Sequence, residues 1–269
     1  MKPALLILLT ALNCEAAMTN ILQHPNTVAG VAVEHGVIAT ACFDGFVRVL
    51  EPTGGLIYAE HRASQLYGVA IRDGLVATDT DSYNGRDPVA IAPDGSIIRS
   101  PDFSASVRMN GISITGTWAV GQDLICRNRI TRTEFLATPT INPIEWPMCI
   151  EEAFDGTLVV GGLDGWVRRF TPDGQQIGAA FIESNGVTAL DVAADGRVVC
   201  VDFSGSVYLL NSSFSVISRA NLGSIGYSVK FSEGSAIIGT HAGALLRWDL
   251  QPDATPTTTT TTKTKGRHK

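Results

Sequence analysis

A short phrase returns along this chain at intervals of forty residues, and that period constrains the fold more than any other feature of the sequence. The glycines Gly45, Gly85, Gly165, Gly205 and Gly243 are separated by 40, twice 40, 40 and 38 residues. The omitted position falls near Asn128, where asparagine stands in as the residue that tolerates a left-handed turn. A second marker precedes each of these, in His35-Gly36, Asp73-Gly74, Gly116, Asp155-Gly156, Asp195-Gly196 and Glu233-Gly234. A third follows in Pro52-Thr53-Gly54, Pro93-Asp94-Gly95, Pro172-Asp173-Gly174 and Pro252-Asp253. Proline presets φ and glycine accepts positive φ, so these are turns with a physical cause.

Between the turns lie runs of four to seven residues such as Val37–Cys42 (VIATAC), Phe46–Glu51 (FVRVLE), Arg197–Asp202 (RVVCVD) and Ser206–Asn211 (SVYLLN). They are rich in valine, isoleucine, leucine and threonine, and no sustained 3.6-residue period occurs, so each unit is expected to be four short antiparallel strands. One such sheet cannot bury both faces alone. Units of about forty residues that pack face to face around an axis make a β-propeller. The expected class is therefore all-β, a propeller of six four-stranded blades, with seven as the alternative if residues 5–12 add a strand.

The quoted phrase carries a family resemblance. The pattern x-Asp-Gly-x-Val-Arg at Asp44–Arg48 and Asp164–Arg168 resembles the second hairpin of WD40 repeats, and Trp248-Asp249 is the dipeptide that names them. The likeness covers most of residues 20–250. The full motif is complete nowhere: Trp-Asp occurs once and the family's Gly-His pair is absent, although His24 and His61 fall near the histidine position. The resemblance implies a structural hydrogen-bond set of His24, Thr40 and Asp44.

The last unit lacks a strand, and a segment from Met18 to His24 is spaced to supply it, closing the ring through both ends of the chain. The reading gives a propeller over 18–253 between two flanks. Residues 1–17 (Lys2, an apolar run, then small residues) have the pattern of a secretory signal peptide or of an extra N-terminal strand. The threonine-rich segment 254–269, ending in Lys263, Lys265, Arg267 and Lys269, has no means of packing a core and is expected to be a disordered basic tail.

Without those four cations, residues 1–262 carry 16 basic and 26 acidic side chains, which argues against nucleic acid as a partner of the folded part. The five cysteines form no Cys-x-x-Cys pair, and four lie in apolar runs, where a thiol behaves as a small hydrophobe. Reduced thiols favour a cytoplasmic protein, and a signal peptide would make it secreted. No run is long enough to span a membrane as a helix.

No phosphate-binding loop, nucleophile elbow, zinc-protease or EF-hand pattern is present, so no cofactor is expected. The alternative is enzymatic. Six-bladed propellers resembling gluconolactonases hold a divalent metal in the channel through carboxylates and asparagines, and Glu34, Glu151 and Asp191 are the residues that could do so here. Glu152, Asn110 and Asn185 lie nearby, and hard oxygen ligands would suit calcium. That reading gives a secreted propeller, either a metal-dependent lactonase-like hydrolase or an extracellular binding module.

The favoured reading is a non-catalytic scaffold that presents its rim to protein or peptide partners. The residue after the glycine marker faces outward and is small or Arg in most units, but it is Phe46 in the first and Trp166 in the fourth, with Arg48 and Arg168 two residues on. Aromatic and Arg side chains anchor interfaces. Trp118, Trp146 and Trp248 lie in apolar runs and are expected in the core.

Overall fold

The computed structural model describes residues 17–62, 65–72, 74–78, 89–91, 97–99, 118–120, 125–128, 134–136, 147–182 and 185–250. Residues 1–16 and 251–269, Asn110 and Trp146 lie outside them, as does the side chain of Trp118. Within these residues every regular element is a β-strand, and the strands form six antiparallel sheets.

The first sheet is β2 (Val28–Glu34), β3 (Val37–Cys42), β4 (Phe46–Leu50) and β5 (Leu56–His61). The second is β6 (Val69–Arg72), β7 (Leu75–Thr78), β8 (Val89–Ile91) and β9 (Ile97–Arg99). The third has three strands among the described residues, β10 (Trp118–Val120), β11 (Ile125–Asn128) and β12 (Glu134–Leu136), where four were expected. Asn128, read as a turn residue, instead ends β11 opposite Trp118. The fourth and fifth are β13 (Pro147–Glu152) to β16 (Gln176–Phe181), with β14 (Leu158–Gly162) and β15 (Trp166–Phe170) between, and β17 (Val187–Val192) to β20 (Val216–Asn221), with β18 (Val198–Asp202) and β19 (Ser206–Leu210) between. The sixth is β21 (Gly226–Ser232), β22 (Ser235–Thr240) and β23 (Ala244–Asp249), and its fourth strand is β1 (Met18–Gln23). Met18 pairs with Trp248 and Gln23 with Ala244, so the strand expected from the spacing forms and joins the two ends of the described chain.

The turn chemistry is as the repeats require. Gly45, Gly165, Gly205 and Gly243 sit at φ between 78° and 84° in the β3–β4, β14–β15, β18–β19 and β22–β23 turns. A β-carbon on Gly243 would fall 2.4 Å from the His24 carbonyl oxygen, so backbone approach and positive φ both demand glycine there. The register repeats as well: each first strand with a full register bulges near its start, between Val28 and Gly30, Pro147 and Cys149, Val187 and Ala189, and Gly226 and Ser228. A bulge bends a strand and increases its twist, which suits sheets that must splay from a common centre.

Both faces of the middle strands are buried, so their sequence is apolar throughout rather than alternating. In β18, Val198 and Cys200 pack with Val159, Val167 and Leu190, whereas Val199 and Val201 pack with Val229, Ile238 and Trp248. Two further layers join the sixth sheet to the first through Ile237, Leu245, Val28 and Ile38, and the first to the second through Val47, Val49, Leu66 and Val76. Each such side chain removed from water contributes about 1.5–3 kcal/mol. Trp248, fully buried, is a core residue as read from the sequence. The first strands lie side by side, β13 against β17, β17 against β21, β21 against β2 and β2 against β6.

Candidate functional site

Chain direction puts the second hairpins of the first, fourth, fifth and sixth sheets at one end of the described strands and their first hairpins at the other. The repeated phrase occupies the former. Asp44 Oδ1 accepts the Phe46 amide at 3.0 Å, and its carboxylate takes both terminal nitrogens of Arg48 at 3.2 and 2.6 Å. Burial alone would raise the Asp44 carboxyl, but Arg48, the Phe46 amide and Cys42 hold it below its ordinary range. The fourth sheet repeats this: Trp166 N donates to Asp164 Oδ1 at 3.2 Å, and Arg168 reaches Asp164 at 3.2 and 2.7 Å. Each guanidinium also lies over its aromatic, 4.9 Å from the Phe46 ring centre and 5.6 Å from that of Trp166.

Arg48 and Arg168, expected from the sequence at the rim beside Phe46 and Trp166, are held inside the fold: the Arg168 side chain is fully buried and that of Arg48 is 15% exposed. A guanidinium locked in a two-pronged pair with its own hairpin is a brace for the turn. Phe46 and Trp166 are half-buried, edge-on to His61 at 5.0 Å and tilted against Phe181 at 5.5 Å. In the fifth sheet the same brace is rebuilt from other residues: Asp202 accepts the Ser206 amide at 2.8 Å and the Tyr208 hydroxyl at 3.2 Å, with Arg219 over the Tyr208 ring at 5.0 Å.

His24, Thr40 and Asp44 do not form one hydrogen-bonded set. Arg48 has taken the Asp44 carboxylate, Thr40 Oγ1 donates to the Arg48 carbonyl at 3.5 Å, and neither ring nitrogen of the buried His24 has a partner. Burial, then the Arg48 charge, push the His24 imidazole down to about 4 against the opposing pull of Asp44, so it is neutral at pH 7.

On the same end, sequence reasoning missed an aromatic group drawn from three sheets. Phe43 meets Tyr67 edge-on at 4.8 Å and Tyr227 at 6.1 Å, and Tyr227 stacks on His241 at 5.7 Å. All three of Phe43, Tyr67 and Tyr227 are partly open to solvent and His241 is exposed. Phe43 immediately precedes the repeated Asp-Gly, so the motif did mark the place. Nothing local to Tyr67 or Tyr227 signals that they converge.

The carboxylates considered for a metal are arranged around a lysine. Lys230 Nζ, in β21, lies 2.5 Å from Glu151 Oε1 of β13 and 2.5 Å from Asp191 Oδ1 of β17. Asp191 Oδ2 also accepts the Phe231 amide at 2.8 Å. Burial would lower the Lys230 ammonium, but the two carboxylates outweigh it and raise it above its ordinary 10.5. Glu34 is elsewhere, accepting the Gly74 amide at 3.0 Å in the next sheet. Thus Glu151 and Asp191 come together and Glu34 does not join them. Among the described residues no group of three His, Cys, Asp or Glu side chains is placed to hold an ion.

No protein-family profile matches the chain, and no curated protein matches it. Solved structures do. The WD40 β-propeller domain of Doa1 superposes with a TM-score of 0.60 at 13% identity, over 88% of this chain and 98% of that one. The computationally designed Ika8 protein superposes with a TM-score of 0.56 at 11% identity, over 86% of this chain and 98% of that one. At such identities the likeness is one of fold, and together with the stacked four-stranded sheets it gives this chain a β-propeller fold.

Proposed function

We propose that this chain is a non-catalytic interaction scaffold: a WD40-like propeller of six blades, its ring closed by β1, that holds a protein or peptide segment on the end bearing the Asp-Gly hairpins. The observation that carries this reading is the cluster of Phe43, Tyr67, Tyr227 and His241, since aromatic side chains contributed by three blades and left partly open are the type that anchors an interface. Trp166 and Phe181, the latter 52% exposed, extend the same end toward the rim. Lys230 supplies between Glu151 and Asp191 the positive charge a metal would supply, which sets the hydrolase reading behind the scaffold. The free thiols of Cys42 and Cys200, both buried, and of the half-buried Cys149 accord with a cytoplasmic setting.

The test is affinity capture with wild type and with a Tyr67→Ser, Tyr227→Ser variant whose circular dichroism and melting are first matched to wild type. The reading expects specific partners to be lost from the variant. An unchanged set of partners refutes the placement of the surface.

A further inference from the structure

The opposite end of the molecule has a different character. The Phe154 ring, in the β13–β14 hairpin, is 91% exposed. The fold does not ask for it, because Ala194 fills the corresponding position of the β17–β18 hairpin and that turn closes in the same way, Gly196 N donating to the Ala193 carbonyl as Gly156 N does to that of Ala153. Phe154 stands at the lip of a groove of about 220 Å3 between the fourth and fifth sheets, lined also by Asp155, Arg169, Asp195 and Ser212. Arg169 is not offered to a ligand: it is bound to Asp155 Oδ2 at 2.7 Å and to Thr157 Oγ1 at 2.7 Å, and is 14% exposed. The carboxylates beside it are open, Asp155 at 57% and Asp195 at 53%.

Among the described residues the exposed charge at this end is mainly negative. Glu51, Glu152, Asp155, Asp173, Asp195, Glu233 and Asp249 are all exposed at this end. Among the described side chains the cations there, Arg169, Arg197, Lys230 and Arg247, are half-buried and bound respectively to Asp155, to Asp195, to Glu151 with Asp191, and to the Pro52 carbonyl. An aromatic face open to solvent, set in a groove within a negative field, fits a cationic side chain laid on the ring with its charge toward the carboxylates.

We propose that this groove docks an arginine- or lysine-rich peptide segment of a partner protein, one cationic side chain of which stacks on Phe154 beside Asp155 and Asp195. The surface is independent of the aromatic cluster at the other end, so either can fail without the other.

A fluorescein-labelled peptide of alternating Arg and Gly, with a Glu-Gly peptide as control, is titrated into the full-length chain at low salt and followed by anisotropy. The Arg-Gly peptide is expected to bind and the Glu-Gly peptide not to. Phe154→Ala, which reproduces the residue of the next hairpin, is expected to weaken binding about fivefold with unchanged melting. No binding of the Arg-Gly peptide overturns the proposal, as does equal binding by Phe154→Ala, which would mean a diffuse field without a docking groove. A variant with Lys263, Lys265, Arg267 and Lys269 changed to Gln that binds the probe several-fold more tightly would also overturn it, by assigning the groove to this chain's own C-terminal segment.

Discussion

Replacing Lys230 by Met removes the ammonium and keeps most of the side-chain volume, so the perturbation is electrostatic rather than a cavity. In the wild type the ammonium lies 2.5 Å from each carboxylate, and the Lys230, Glu151 and Asp191 side chains are only 12, 8 and 11% exposed. Removing one partner from a buried ion pair costs about 3–5 kcal/mol, because the remaining charge stays in a place where water solvates it poorly. Asp191 retains the Phe231 amide, so the expected loss at pH 7 is near the lower end, about 3 kcal/mol. The folded-state value for Lys230 is raised, so its contribution is whole below 10.5 and is lost only as alkali passes the folded value. Between pH 5 and 9 the wild-type lysine therefore contributes constantly. The loss is therefore to be read at pH 6 and at pH 8, both inside that window. Urea unfolding at both pH values, followed by circular dichroism, measures this. A further variant combining Lys230→Met with Glu151→Gln and Asp191→Asn should regain stability over the single variant, since no buried charge remains. A single variant within about 0.5 kcal/mol of wild type, or a triple variant no better than the single, would refute the reasoning.

Two further changes probe the other buried groups. His24 is held neutral with its folded value near 4, so the unfolded chain takes up a proton below 6.5 that the folded one refuses; stability should fall as pH drops from 6.5 toward 4, by up to about 1.4 kcal/mol per pH unit, and His24→Leu should flatten that limb in urea titrations across the range. An unaltered slope in the variant would show that another group is responsible. Phe214 has φ of 63° where the equivalent turns have Gly54 and Gly174, and its ring is buried against Val187, Leu210 and Gly178. Phe214→Ala should lose about 3–5 kcal/mol of packing while keeping a β-carbon in the left-handed region, and Phe214→Gly should lose no more than Ala because relief of about 1–2 kcal/mol offsets its smaller side chain. A glycine variant clearly less stable than the alanine variant refutes the strain.

The forty-residue period, the turn residues and the β-rich runs determined the propeller and even the strand that joins the two ends, because turns need Gly or Pro at fixed offsets and sheets of that size must share their faces. The aromatic residues after the glycine marker were also legible. What the sequence did not carry was which polar groups meet. Arg48 and Arg168 looked like free anchors, yet an Asp four residues earlier reaches each guanidinium once the hairpin closes, and the same contact removes Asp44 from His24 and Thr40. Glu151, Asp191 and Lys230 are separated by 40 and 39 residues, so only sheets packed side by side bring their charges together. Phe43, Tyr67 and Tyr227 converge for the same reason, and Phe154 comes to share a groove with Asp195 of the neighbouring sheet only once the sheets pack. Local propensity acts over a few residues and wrote the elements; burial and charge act through space and decided the sites.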